Sequence, residues 1–94
     1  MKLKLRAAAV RDLDAIFDYG FVNHGAERAS AYLSELDAKM ARLLTHPELG
    51  PPSDVRPGLR SIAEGEHRIY YRIERDTITV ARVLHKAMDV ERWV

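Results

Sequence analysis

Cysteine is absent from this chain, and with it go disulfide scaffolds, thiolate zinc sites and thiol nucleophiles. The absence also suits a reducing compartment. Long apolar runs are missing too. No stretch approaches the ~18 residues needed to span a bilayer. Near the start, Arg6, Arg11 and Asp12 leave no uninterrupted secretory core of roughly 7–15 apolar residues. A cytoplasmic protein without a membrane partner is therefore expected. The five glycines (20, 25, 50, 58 and 65) are too scattered for a phosphate-cradling loop. The four histidines (24, 46, 67 and 85) fall in different segments without ligand spacing, so no metal and no other cofactor is expected. None of Ser30, Ser34, Ser53 and Ser61 sits on the strand-turn-helix elbow that a serine nucleophile needs. An excess of one charge is missing as well: Lys and Arg number 15 and Asp and Glu 14, a net +1. That balance argues against bulk electrostatic binding of nucleic acid by the chain alone.

What remains is a sequence built to fold. With 94 residues, 47% of them apolar and 31% charged, it fits one domain spanning 1–94. A chain this short buries only about 60–65% of its unfolded surface, so its core is thin. Only Lys2, Lys4, Lys39 and Lys86 among the cations are lysine. The rest are arginine, concentrated at positions 56, 60, 68, 72, 75 and 82.

Lys2 to Arg6 alternates polar and apolar, which predicts a short edge strand with Leu3 and Leu5 on one face. Val10, Leu13, Ile16, Phe17 and Phe21 then recur at helical spacing, predicting a helix over 8–23 stopped by Asn23-His24-Gly25. A second helix is predicted over 26–45, striped by Ala29, Tyr32, Leu33, Leu36, Met40, Leu43 and Leu44. His46-Pro47 ends it, because a residue before proline is pushed out of the helical region. A break of two or three residues between such helices implies an antiparallel hairpin. All four prolines (47, 51, 52 and 57) lie between 47 and 58, a rigid surface loop. Three strands are predicted after it, over 59–62, 67–74 and 77–85. The order β-α-α-β-β-β describes an α+β domain: a helical hairpin packed on one face of a small, mainly antiparallel sheet.

A turn at Glu74-Arg75-Asp76-Thr77 pairs Ile73 with Ile78, Tyr71 with Val80 and Ile69 with Arg82 on one face. Arg72 then meets Thr79, Tyr70 meets Ala81 and Arg68 meets Val83 on the other. A slip by one would set Arg68 opposite Arg82, like charges directly across, which is unfavourable. The preferred register puts Glu66 beside His85 and leaves Arg68, Tyr70 and Arg72 along a polar face. Arg60, Arg68, Tyr70, Arg72, Arg82 and His85 form the one polar set that suggests chemistry. Metal-free RNA cleavage needs a base near the 2′-hydroxyl, an acid for the leaving oxygen and a cation on the phosphate. Glu66 or His85 fits the base, and Arg60 or Arg82 the phosphate clamp. The same residues also fit an ordinary solvated strand face, with His85 ordering the turn that follows it.

The chain resembles the ParE toxins of the RelE/ParE superfamily of type II toxin–antitoxin systems. The resemblance rests on Ala9, Asp12-Leu13, Ile16 and Tyr19, then Gly25, Ala29, Tyr32 and Leu36. It continues through His46-Pro47…Gly50 and Gly58-Leu59-Arg60-Ser61. Its most specific part is Gly65-x-His67-x-Ile69-x-Tyr71-Arg72 followed by Ile78-x-Val80-x-Arg82-Val83-Leu84-His85-x-x-Met88-Asp89.

The resemblance implies a toxin neutralised by a ParD-like antitoxin whose extended C-terminal segment wraps it, forming a hetero-oligomer. ParE-type toxins characteristically stall DNA gyrase, so that broken DNA accumulates and growth stops. RelE-type relatives instead cleave messenger RNA on the ribosome. The long hairpin and the Arg82-Val83-Leu84-His85 ending match the ParE side better. In that reading there is no catalytic residue, and Leu13, Phe17, Tyr32, Leu36, Arg60, Arg68 and Arg72 contact the antitoxin. Arg82, His85, Met88, Asp89 and Trp93 contact the target. A ribosome-dependent RNase would use His85, Arg82, Arg60 and Glu66, and a non-toxic interaction module on the same fold would use neither. Two departures from the family pattern stand out. Arg6 replaces the usual Ser or Thr before the first helix, a missing cap worth about 1 kcal/mol. The segment after Asp89 is also short, and that region is linked with toxicity in the family.

Overall fold

Lys2–Leu5 is strand β1. It runs parallel to the last strand, with Leu3 opposite Ile78 and Lys4 opposite Thr79, so its alternation sends Leu3 and Leu5 toward the helices and both lysines to the other face. Helix α1 follows over Ala7–His24. Its N-cap, Arg6, has extended backbone and no side-chain cap bond, as the absence of Ser or Thr there predicts. Gly25 alone separates α1 from α2, Ala26–Arg42. Its φ of 89° suits a residue without Cβ, so one residue reverses the chain where two or three were expected. Helix α2 ends at Arg42 rather than Thr45 because the amides of Leu43 and Leu44 reach back only three residues, to the carbonyls of Met40 and Ala41, tightening the end into turns.

The remaining strands are β2 over Arg60–Glu64, β3 over His67–Glu74 and β4 over Thr77–His85. They form one sheet in the order β1-β4-β3-β2, antiparallel except for β1 beside β4. The computed structural model describes all 94 residues. It has the α+β architecture read from the sequence, with one addition: a single helical turn, α3, at Val90–Trp93. No helix is long and apolar enough to cross a membrane.

Leu36, Met40 and Leu43 of the hairpin side bury against Ile69, Tyr71, Ile78, Val80 and Val83 of the sheet. The opposite face is not open to water along its length. Leu59, Tyr70 and Leu84 form a second small core there, covered by Val55, Val90 and Val94. This corrects the expectation of a polar face running through Arg68, Tyr70 and Arg72: Tyr70 is 7% exposed.

The register also differs from the one predicted. From Glu74 to Tyr71 the pairing with Thr77 to Val80 is as expected, but Tyr70 then pairs with Arg82, Ile69 with Val83 and Arg68 with Leu84. Ala81 is an extra residue, a β-bulge. The reason is a conflict in the uninterrupted ladder, which would place Arg82 on the helix-covered face and Val83 on the other. One inserted residue re-phases the strand, and Val83 enters the core opposite Ile69, 2% exposed. Glu66 accordingly ends beside Lys86, with their side chains 2.7 Å apart, while His85 faces His67 across the ladder.

The proline loop is tied to the core by one hydroxyl. Tyr71 donates to the Pro47 carbonyl at 2.7 Å and accepts from the Gly50 amide at 2.9 Å. Burial pushes its phenol above the ordinary tyrosine value. Tyr71→Phe strands both backbone groups in a dry site and is expected to lower stability by about 1–3 kcal/mol. Urea denaturation should report this as a lower midpoint with an unchanged slope.

Candidate functional site

Strand β1 pairs only as far as Val80, so the second half of β4 has a free side, and α1 passes over it. Between the helical hairpin and this end of the sheet lies a groove of about 840 Å³. Ile16, Ala29 and Val83 make an apolar floor; Tyr19, Arg28 and Met88 stand at its rim. Tyr19 is 69% and Met88 41% exposed, so apolar surface at the mouth faces solvent.

The groove's sheet-side wall is a chain of aromatic polar groups. The Tyr32 hydroxyl of α2 contacts Nδ1 of His67, and the His67 and His85 rings meet edge to face at 5.4 Å between centroids. Tyr32 also accepts from the Glu66 amide at 3.1 Å. Gly65 makes this possible: its φ is 56°, and a Cβ there would lie 2.6 Å from the Tyr32 ring. Burial, followed by the repulsion of Glu64, Glu66 and Glu35, holds the Tyr32 phenol above its usual value. Burial, then the neighbouring His85, holds His67 below the usual imidazole value. Lys86, hydrogen-bonded to Glu66, lowers that carboxyl.

The free side of β4 is closed by Asp12. One carboxylate oxygen, Oδ2, accepts from the Val83 amide at 2.9 Å and from Arg82 Nε at 2.8 Å, while Oδ1 accepts from Arg82 Nη2 at 2.7 Å. Both side chains are largely shielded, Asp12 14% and Arg82 18% exposed. Asp12 raises the Arg82 pKa further. The same guanidinium donates from Nη1 to the Trp93 carbonyl at 2.9 Å and lies 5.7 Å from the centre of the Trp93 ring.

These contacts sort the residues singled out from sequence. Leu36 is fully buried and belongs to the core, so it is not available as an antitoxin contact. Leu13 and Phe17 are half-buried on α1, and Tyr32 is half-buried in the groove wall. Arg60 pairs with Tyr71 and so lies on the helix-covered side, where Nη1 donates to the Gly50 carbonyl. Arg68 and Arg72 alternate with Ile69, Tyr71 and Ile73, placing them on the opposite face, bonded to Ser61 Oγ and the Pro57 carbonyl. A partner touching all the named antitoxin positions on the surface would have to wrap around a sheet edge. The RNase set does not converge either. Arg82 is committed to Asp12, and Arg60 sits two strands across and several residues along the sheet from His85. Met88, Asp89 and Trp93 are exposed after β4. No group of three or more His, Asp or Glu is arranged to hold a metal. The sequence reading missed His67 and Ala29 as groove residues and Asp12 as the partner of Arg82. Alternation with Ile69 and Tyr71 carried the signal for His67, while Asp12 lies off the apolar stripe of Val10, Leu13, Ile16 and Phe17 and gave none.

The architecture is thus a helical hairpin on a four-stranded sheet ordered β1-β4-β3-β2, with one groove open at the end of the sheet. The family model described as "ParE toxin of type II toxin-antitoxin system, parDE" matches residues 3–90. The chain belongs to the ParE toxin family. It is 39% identical over 90 residues to Toxin ParE1 of Mycobacterium tuberculosis, covering 94% of this chain and 92% of that one. Toxin ParE1 of Caulobacter vibrioides is 36% identical over 87 residues, covering 92% and 90%. Among solved structures, the chromosomal ParDE toxin–antitoxin system from P. aeruginosa superposes with a TM-score of 0.80 at 27% identity, over 90% of this chain and 95% of that one. The RelBE2 toxin–antitoxin complex of Mycobacterium tuberculosis shares the fold, with a TM-score of 0.60 at 22% identity over 90% and 96% of the two chains.

Removing the Asp12 carboxylate leaves a shielded guanidinium and the Val83 amide without their acceptor. Asp12→Ala is expected to cost about 2–3 kcal/mol in chemical denaturation. Arg82→Lys should lose part of the same stability, since an ammonium cannot reproduce the planar fork.

Proposed function

We propose that this protein is a cytoplasmic growth-arresting toxin that inhibits DNA gyrase and is held inactive in a hetero-oligomer with a ParD-like antitoxin. The observation that carries the reading is the ParE family match over residues 3–90. The solved relatives come from toxin–antitoxin systems, which supports a dedicated protein partner. The groove supplies a matching receptor. Its apolar floor, exposed Tyr19 and the free cation Arg28 suit an amphipathic helix that carries carboxylates on its flank. Inhibition of gyrase then falls to the end of β4 and the segment after it, where His85, Met88, Asp89 and Trp93 are accessible and Arg82 acts by holding the Trp93 turn in place. Binding rather than catalysis fits the dispersal of Arg60 and Arg82, the two cations that would have clamped a phosphate: one is bonded to the Gly50 carbonyl and the other to Asp12.

Expression of the toxin alone should arrest growth, and co-expression of its cognate ParD-like antitoxin should restore growth. Purified toxin should inhibit gyrase supercoiling and trap cleaved DNA. Unchanged supercoiling with no trapped cleavage would sink the gyrase assignment. Ala15→Glu, an exposed change at the groove, should weaken antitoxin binding at least tenfold while moving stability by no more than about 0.5 kcal/mol.

A further inference from the structure

The His67 wall of the groove has a hydrogen-bond arrangement that ties its occupancy to protons. The Tyr32 hydroxyl has one hydrogen and several neighbours. It accepts from the Glu66 amide, and its hydrogen points either to the Glu64 carbonyl at 3.2 Å or to the nearer His67 Nδ1. With the hydrogen on the shorter contact, His67 is neutral and carries its proton on Nε2. His85 is arranged the same way, its Nδ1 accepting from the Ala87 amide at 3.1 Å. Protonating His67 turns Nδ1 from acceptor to donor and forces the Tyr32 hydrogen round to Glu64.

The surroundings do not compensate a charged His67. On α1, Asp12 is held by Arg82, and His24 lies across the groove. On α2, Arg28 adds positive charge, and Glu35 is exposed to solvent. On the sheet, Glu64 faces Lys39 at 3.6 Å and Glu66 faces Lys86 at 2.7 Å. His85 stands edge-on to the ring itself. Each carboxylate close to the ring already has its own cation.

We propose that His67 makes antitoxin binding in this groove pH-dependent: the apolar partner surface closes over the neutral ring and is released as the ring takes up a proton. The proposal rests on the antitoxin occupying the groove, as argued above. Covering the groove removes water from His67 and disfavours its charged form further, so the complex binds fewer protons at this ring than the free toxin. Affinity is therefore complete above the free ring's titration and falls as pH drops through it. Because burial already depresses that titration, the loss begins below the ordinary imidazole value of about 6.5.

Purified toxin and its cognate ParD-like antitoxin are titrated by calorimetry from pH 8 to pH 5 at fixed ionic strength. The Kd is expected to be flat above pH ~6.5 and then to rise by up to about tenfold per pH unit. His67→Gln, which keeps an acceptor for Tyr32, should lose that rise. Histidine NMR of the free toxin should find His67 in the Nε2–H tautomer at neutral pH, titrating below the ordinary value. Tight binding with a flat profile overturns the proposal and leaves the antitoxin reading standing, as does a rise that His67→Gln retains. An Ala15→Glu toxin that binds as tightly as the natural chain overturns the groove reading itself, and the proposal with it.

Discussion

The carboxylate of Asp12 is the constraint on which the arrangement depends. It joins the first helix to the last strand, 70 residues away, and satisfies a backbone amide and a bidentate guanidinium together. Where β1 stops, a side chain takes over the role of a neighbouring strand for Val83, so the sheet edge ends without an orphaned donor. That substitution lets α1 cross the sheet end and leave a groove rather than another strand. Through Arg82 the same carboxylate reaches the turn at Trp93. The groove wall and the segment after β4 thus share one electrostatic anchor.

Arginine proves to be internal cement as much as surface charge. Arg56, Arg60, Arg72 and Arg82 each donate to a backbone carbonyl, at Val94, Gly50, Pro57 and Trp93 respectively. All four of these carbonyls lie in the proline loop or at the C-terminal turn, segments with no ladder to satisfy them. A fork with five donors can hold such a carbonyl and still leave charge on the surface, which lysine does less well. The bias toward arginine in a chain with little regular structure after Arg42 and before Arg60 has this local cause.

Most of the fold was legible in the sequence because its elements are strongly periodic. The apolar stripe from Val10 to Phe21 and that from Ala29 to Met40 left little choice but two helices, and the alternation in β1, β3 and β4 named the strands. The bulge at Ala81 was not legible from spacing alone. Its only trace was that an unbroken ladder buried Arg82 and exposed Val83, a conflict that needed the core's geometry to resolve. The site was read less fully. His85 and Met88 were placed near it, while Arg60 was named in one polar set with Arg68 and Arg72, which the sheet divides between its two faces. Asp12 has the spacing of a solvent-facing helical residue, and only the early end of β1 turns it inward. Tyr70 was taken as part of a wet face because the loop and the Val90 turn that dry it are irregular.

The strand order has a consequence for how the molecule comes into being. The inner strand β4, which pairs with both β1 and β3, is made last among the four. As the chain leaves the ribosome, β1 has no ladder, and the hairpin no complete floor, until β4 has emerged. Asp12, too, waits for Arg82. The sheet, and with it the groove at its end, is therefore completed only when β4 takes its place between β1 and β3. The time between completion of β4 and capture by a partner is the interval in which the molecule first exists as a free, folded species.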